Sequence, residues 1–291
     1  MNRRCLVLLS TLIAGPALAG PLTVEPRVLT TYLDGELTVD PAGVVESYHV
    51  TGDVPEGLAT KAQEMVRQLR FEPVLVDGNP ARAHTQMRVT LAGTPTDDDG
   101  LSVHLDNISF PKQREGRSAD HYEPVQMKVD QKSMADYPKP AAVAGVDANV
   151  LVAVKVARDG SIADASVRQS ALLAAGGSDA VVSSLLSQFE YQSLRAVRRW
   201  HVKVDVRDGA QPTVSDMTAL VVFAYRMKER ATPHAGEWTW ETRSEKRDTP
   251  WLPHDPSEPF AGVADTFGDG LLSDEGAKFR LMPPVGGKGA P

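Results

Sequence analysis

Two β-rich runs, Leu33–Val39 and Val44–Val50, flank Asp40-Pro41-Ala42-Gly43. A Pro/Gly turn between such runs predicts a hairpin. From Glu56 the spacing of apolar positions changes. Leu58, Ala62, Met65, Val66 and Leu69 fall on one face at helical period, which predicts a helix over Glu56–Arg70. Phe71-Glu72-Pro73, a turn at Asp77-Gly78-Asn79-Pro80 and a strand ending in Met87-Arg88-Val89-Thr90-Leu91 follow. The order is strand, strand, helix, strand.

That order returns later in the chain. Val150–Val156 is a near-continuous strand, Arg158-Asp159-Gly160-Ser161 a turn, and Ile162–Val167 the returning strand. Ser178–Trp200 reads as mostly helical, with Leu185, Phe189, Ser193, Ala196, Val197 and Trp200 near one stripe. Asp208-Gly209-Ala210-Gln211-Pro212 matches the earlier turn, and Thr218–Tyr225 is the last strand. The pattern is a divergent internal duplication. A helix with one apolar stripe must bury it against another layer, so each copy supplies a sheet face and a helix to cover it. The expected fold class is α+β, with two small units of antiparallel sheet, each with a helix packed on it.

Turn chemistry fills Gly93–Gly100, and residues 111–135 are polar with no sustained period. Residues 228–291 hold eight prolines and eight glycines, a density that argues against a packed core. The expected division is therefore residues 1–19, a first unit over 20–92, a linker over 93–135 with an extra strand at 101–110, a second unit over 136–227, and a largely irregular tail over 228–291. Three of the four tryptophans, Trp238, Trp240 and Trp251, lie in that tail, and Glu237–Glu241 alternates in strand fashion, fit to extend a sheet edge.

The start of the chain is a different kind of segment. Asn2, Arg3 and Arg4 precede an uncharged apolar run, Cys5–Ala19, which closes on Ala17-Leu18-Ala19. A run of about 15 residues is shorter than the roughly 20 needed to span a bilayer, and small residues at its end suit a signal peptidase. Residues 1–19 are read as a cleavable secretory signal cut after Ala19. Cys5 is the only cysteine, so cleavage leaves no disulfide, thiolate metal site or cysteine nucleophile. The net charge is −7, and −9 without Arg3 and Arg4. That balance argues against nucleic-acid binding, which needs basic surface for phosphate. No later apolar run approaches spanning length, so the processed protein is not expected in the membrane.

The duplicated pattern resembles the C-terminal domain of TonB-type energy transducers. Tyr137-Pro138 resembles the pair that opens the domain, and Val150–Val156 with Asp159-Gly160 its first hairpin. Ala196-Val197-Arg198-Arg199-Trp200 resembles its helix end. The family then continues Trp-x-(Phe/Tyr)-x-Pro, whereas this copy reads Trp200-His201-Val202-Lys203-Val204. The first copy supplies the missing part, Phe71-Glu72-Pro73 followed by Gly78-Asn79-Pro80, with Phe71 standing where the second copy has Trp200. The resemblance implies a periplasmic protein whose sheet edge takes a partner strand by β-augmentation. A transducer of this family also keeps an N-terminal membrane anchor and a Pro-rich spacer. Here the leading segment reads as cleavable, and no Pro-Lys or Pro-Glu repeat occurs. The reading adopted is an exported, non-catalytic protein-binding or adaptor module; the alternative is a TonB-like energy transducer with an uncleaved anchor. The partner expected is an envelope protein, such as an outer-membrane receptor or its periplasmic segment, and homodimerisation is left open.

Candidate chemistry changes this picture little. The histidines at 49, 84, 104, 121, 201, 234 and 254 form no H-x-x-x-H, and no G-x-S-x-G, Walker or G-x-G-x-x-G motif is present. Asp265–Gly270 looks like the start of a calcium loop, but its twelfth position is Gly276, which offers no carboxylate. No catalytic, cofactor or metal residues are assigned. Arg195, Arg198 and Arg199 form a basic helix end that complements the helix dipole. The candidate partner-binding edge is the last strand, with Thr218, Leu220, Val222, Phe223 and Tyr225 as its named positions. Tyr137, Pro138, Asp159, Gly160, Trp200, Phe71, Pro73, Gly78 and Pro80 are structural positions of the resemblance.

Overall fold

The computed structural model describes residues 22–76, 78–96, 100–110, 125–174, 176–227, 233–252, 270–272 and 282. Residues 1–19, and with them the signal reading, lie outside the described residues. The first copy comprises β1 (Val28–Val39), β2 (Val45–Val50), α1 (Glu56–Val66), the two-residue strands β3 (Leu75–Val76) and β4 (Asn79–Pro80), and β5 (Ala83–Pro95). Next come β6 (Leu101–Ser109), β7 (Val125–Gln131) and α2 (Lys139–Ala144). The second copy comprises β8 (Asp147–Val156), β9 (Ile162–Leu173), α3 (Asp179–Val197), β10 (His201–Val206) and β11 (Thr218–Tyr225). β12 (Thr239–Arg243) and β13 (Gly270–Leu272) complete the order. The fold is mixed α and β on mostly antiparallel sheet.

Both copies place their first strand in the middle, between their second and last strands: β1 pairs with β2 and β5, and β8 with β9 and β11. The likeness extends to single atoms. Gly43 has φ +79° and Gly160 φ +86°, the left-handed region where glycine carries no Cβ penalty. The carbonyl of Gly43 accepts from Phe71 N–H at 2.9 Å, and that of Gly160 from Val202 N–H at 2.8 Å. A Cβ on Gly43 would lie 1.8 Å from Phe71 O, and one on Gly160 2.1 Å from Val202 O. The helix ends also match: Leu69 N–H bonds to Val66 O at 3.0 Å, and Trp200 N–H to Val197 O at 2.9 Å. These bonds set Leu69 against Trp200 and Phe71 against Val202. The expected equivalence of Phe71 with Trp200 is therefore off by two residues. Trp200 thus stands where the first copy has Leu69, and Phe71 and Pro73 stand where the second has Val202 and Val204.

Helix α1 buries Ala62 and Val66, and α3 buries Val182, Leu186, Phe189, Ser193, Ala196 and Val197. Each fully buried large side chain is worth roughly 1.5–3 kcal/mol of transfer free energy, so α3 with Leu186 and Phe189 at 0% exposure dominates its half of the core. Leu33, Leu37, Val39, Met87, Val89 and Leu91 form the matching sheet face under α1.

The two copies do not stand apart. Nine strands make one sheet in the order β13-β11-β8-β9-β12-β1-β5-β6, with β2 paired to β1. The join is β12, from the stretch expected to be irregular tail. It pairs with Val28–Thr30 of β1 on one side and Ala171–Leu173 of β9 on the other. The expectation that this stretch extends an edge is corrected, because it lies in mid-sheet. The physical reason is local. Strand β2 is short, since Gly52 and Pro55 turn the chain into α1, and the half of β1 it leaves unpaired is filled by β12. Leu172, in the core under α3, stands opposite Thr242, and Trp240 stands opposite Leu29, on the face of β1 that carries Leu33. With side chains alternating at period two, both helices cover the same face of the sheet.

The polar stretch 111–135 was expected to lack regular structure. Its last part is β7, whose Val125, Met127 and Val129 alternate toward the second core. It pairs with β10 as a separate two-stranded ribbon. His201–Val206, between α3 and β11, thus forms a strand in its own right.

Candidate functional site

Strand β11 is apolar on both faces because both are covered. Ala219, Val221, Phe223 and Tyr225 are buried, the last three in the core under α3. Val222 packs with Leu151 and Ala171 on the opposite face, with Leu220 against them. Tyr225 is fixed from three directions. Its hydroxyl lies 2.9 Å from Ser193 Oγ, and its ring stands edge-on to Tyr137 at 5.7 Å and tilted on Phe189 at 4.7 Å. Burial pushes its phenol up to about 12, against the partial compensation of the Ser193 bond.

One side of β11 carries the full ladder to β8, from Thr218↔Lys155 to Tyr225↔Ala148. Its other side was expected to be an open edge. In the structure that side pairs antiparallel with β13, as Leu220↔Leu272, Val221↔Leu271 and Val222↔Gly270. The expectation is corrected at these three positions: the edge accepts a strand, and the strand is the chain's own.

Beside this pairing a cleft of about 60 Å³ lies between β11 and the segment ahead of α2. Val222–Tyr225, Trp200 and Lys132–Ala135 line it. Trp200 is its apolar floor, tilted on Phe223 at 5.6 Å. The indole N–H donates to Ser133 O at 2.8 Å and so ties the segment to the end of α3. Lys132 Nζ lies 5.5 Å over the indole, and Met134 is 72% exposed at the rim. The cleft thus has the backbone of Val222–Tyr225 on one wall and Lys132 and Met134 on the other.

The remaining named positions hold the scaffold. Tyr137 donates its hydroxyl to Val146 O at 2.6 Å, and Pro138 caps α2. Asp159 Oδ1 accepts from Ser161 N–H at 2.9 Å and Ser161 Oγ–H at 2.6 Å, which holds its carboxyl below the usual range. Phe71 is fully buried and meets Phe110 edge-on at 6.2 Å, whereas Pro73 is exposed. Gly78, at φ +77°, forms the tip between β3 and β4, where Pro80 stands opposite Leu75. These residues do not converge on one site. Only Trp200, Phe223 and Tyr225 meet Val222 at the cleft.

Comparison with family models, curated proteins and solved structures finds no match.

Sequence reasoning missed the polar seam between the copies. A cleft of about 110 Å³ there is lined by Thr30, Tyr32, Arg88 and Thr90 of the first copy, Asn149 and Arg226 of the second, and Glu237, Thr239 and Glu241 beside or within β12. Arg88 donates to Asp34 at 2.6 and 2.8 Å and stacks over Tyr32 at 4.0 Å. Arg226 donates to Asn149 Oδ1 at 2.7 Å and to the Ala148 carbonyl at 3.0 Å. Nearby, Arg243 is 4% exposed and pairs with Glu241 at 2.8 Å and Asp106 at 2.9 Å. Burial opposes its charge, but the two carboxylates outweigh that and raise its pKa. Burial, the largest cause, pushes Lys246 down, helped by the charges of Arg243 and Arg168, and pushes Glu25 up, helped by those of Asp106 and Glu245. Glu-x-Arg at 241–243 was the available signal, and it sat in a stretch read as irregular. Among the described residues no group of three His, Cys, Asp or Glu is placed to hold a metal ion. No described helix is long and apolar enough to cross a membrane. Asp97–Asp99 and, apart from 270–272, the calcium-loop reading lie outside the described residues.

Proposed function

We propose that this chain is an exported, non-catalytic protein-binding module that takes a partner strand along the outer side of β11, in the manner of the TonB-type C-terminal domains it resembles. The observation that carries the reading is the pairing of β11 with β13. A segment far along the chain lies antiparallel on Leu220–Val222, so backbone groups there accept an added strand. The adjoining cleft supports the same reading, because it borders Val222–Tyr225 and presents exposed Met134 at its rim to such a strand. The repeated unit, with its last strand beside its first, supports the resemblance in connectivity.

The partner class is an extended segment of an envelope protein. Titration with peptides from the N-termini of outer-membrane receptors tests it. Saturable binding that is lost when β11 is altered supports the reading, and no binding at high micromolar peptide contradicts it. The export part of the reading rests on residues 1–19. A mature protein whose mass begins at Gly20 supports it; retention of residues 1–19 returns the anchored-transducer alternative.

A further inference from the structure

We propose that Gly270–Leu272 is a built-in occupant of this edge, and that a partner strand reaches β11 only by displacing it. The inference rests on the β-augmentation reading above and adds a regulation to it. The pairing is short. Strand β13 holds three register positions, whereas β8 holds eight on the other side of β11. Three residues are fewer than the five or six of a mean strand, and a glycine among them weakens strand formation further. The occupant is therefore sufficient to cover the edge and poor enough to be exchanged. Its pairing ends at Val222, and the cleft begins there and runs to Tyr225. A longer strand gains both the extra ladder positions and contact with exposed Met134.

The chain's own segment also describes the partner it stands in for. Leu271-Leu272 are adjacent aliphatics flanked by Asp265, Asp269, Asp274 and Glu275. Lys132 lines the cleft, with its ammonium over the Trp200 indole, and supplies a cation for acidic flanks. The partner that fits is an extended, acid-flanked strand with adjacent aliphatic residues. Because the occupant is tethered, it competes at an effective concentration on the order of millimolar, and a free strand must overcome that.

The test uses the full chain and a fluorescent peptide of residues 265–275. In one variant Leu271→Pro and Leu272→Pro together remove two N–H donors from β13 and leave β11 unchanged. Anisotropy should show the variant binding the peptide at least about tenfold more tightly than the wild type, the factor expected if the edge is covered nine-tenths of the time or more. Equal affinity in the two chains overturns the built-in occupant and leaves the edge reading standing. Absence of binding to either chain up to about 1 mM peptide overturns both, since the tethered copy would have no measurable affinity in trans. Hydrogen exchange on the wild-type chain needs no variant. Excess peptide should slow exchange across Leu220–Val222, and an unchanged rate counts against displacement.

Discussion

At the scale of single residues, the duplication is carried by two glycines that nothing else can replace. Gly43 and Gly160 hold positive φ while their Cβ positions are taken by carbonyl oxygens of Phe71 and Val202. Gly160→Ala should cost about 2 kcal/mol or more, and Gly43→Ala a similar amount, measured by denaturant unfolding. Arg243→Ala removes the cation that pairs with both Glu241 and Asp106, which are largely buried, and should destabilise by about 3–5 kcal/mol in the same assay. Tyr225 gives a pH signature. Its folded pKa of about 12 exceeds the ordinary value of 10, so the folded state holds this proton more tightly than the unfolded chain. Its contribution is complete below pH 10 and is lost as pH rises through about 12, by up to about 3 kcal/mol. Wild type should lose stability relative to Tyr225→Phe across that range; parallel pH curves would show that the phenol is not protected.

At the scale of elements, the strongly periodic segments were legible and the joins were not. The helix expected over Glu56–Arg70 ends at Val66, and that over Ser178–Trp200 runs Asp179–Val197. Both overrun at the C-terminal end, where Leu69 and Trp200 continue the apolar stripe from a turn rather than from the helix. Leu101–Ser109 forms a strand, in the place where one was expected. Strand β12 was hard to read because its partners, Val28–Thr30 and Ala171–Leu173, are distant in sequence and its neighbours are rich in Pro and Gly. Its local signal, the alternation around Trp238 and Trp240, said strand but not where. Both tryptophans now have places: Trp238 packs on the first core, and Trp240 lies beneath the Arg27 guanidinium at 4.9 Å. If β12 joins the copies, a chain stopped after Gly236 should lose the single cooperative thermal transition, and one stopped after Leu252 should keep it. Calorimetry reads both, and an unchanged melt after loss of β12 would contradict its role.

At the scale of the whole molecule, the sheet has two ends with different treatments. β6 closes one, and the other is β11 with β13 laid on its middle. The last strand was named the candidate edge because the resemblance implies an edge that takes a strand, while its apolar residues on both faces pointed to cover on both sides. Its occupant was not legible, since backbone pairing leaves little trace in side-chain pattern. The cleft beside it was also hidden, because Lys132–Ala135 reads as polar linker and meets Trp200 only in the folded chain. Acceptance of a partner strand by β11 is open to direct measurement. Amide chemical shifts of the full chain carrying Leu271→Pro and Leu272→Pro, followed as receptor N-terminal peptide is added, test it most directly. Strand addition at β11 should confine the shifts to Leu220–Tyr225, Lys132–Ala135 and the Trp200 indole N–H. Shifts centred on β6 or the polar seam, or none at saturating peptide, would contradict it.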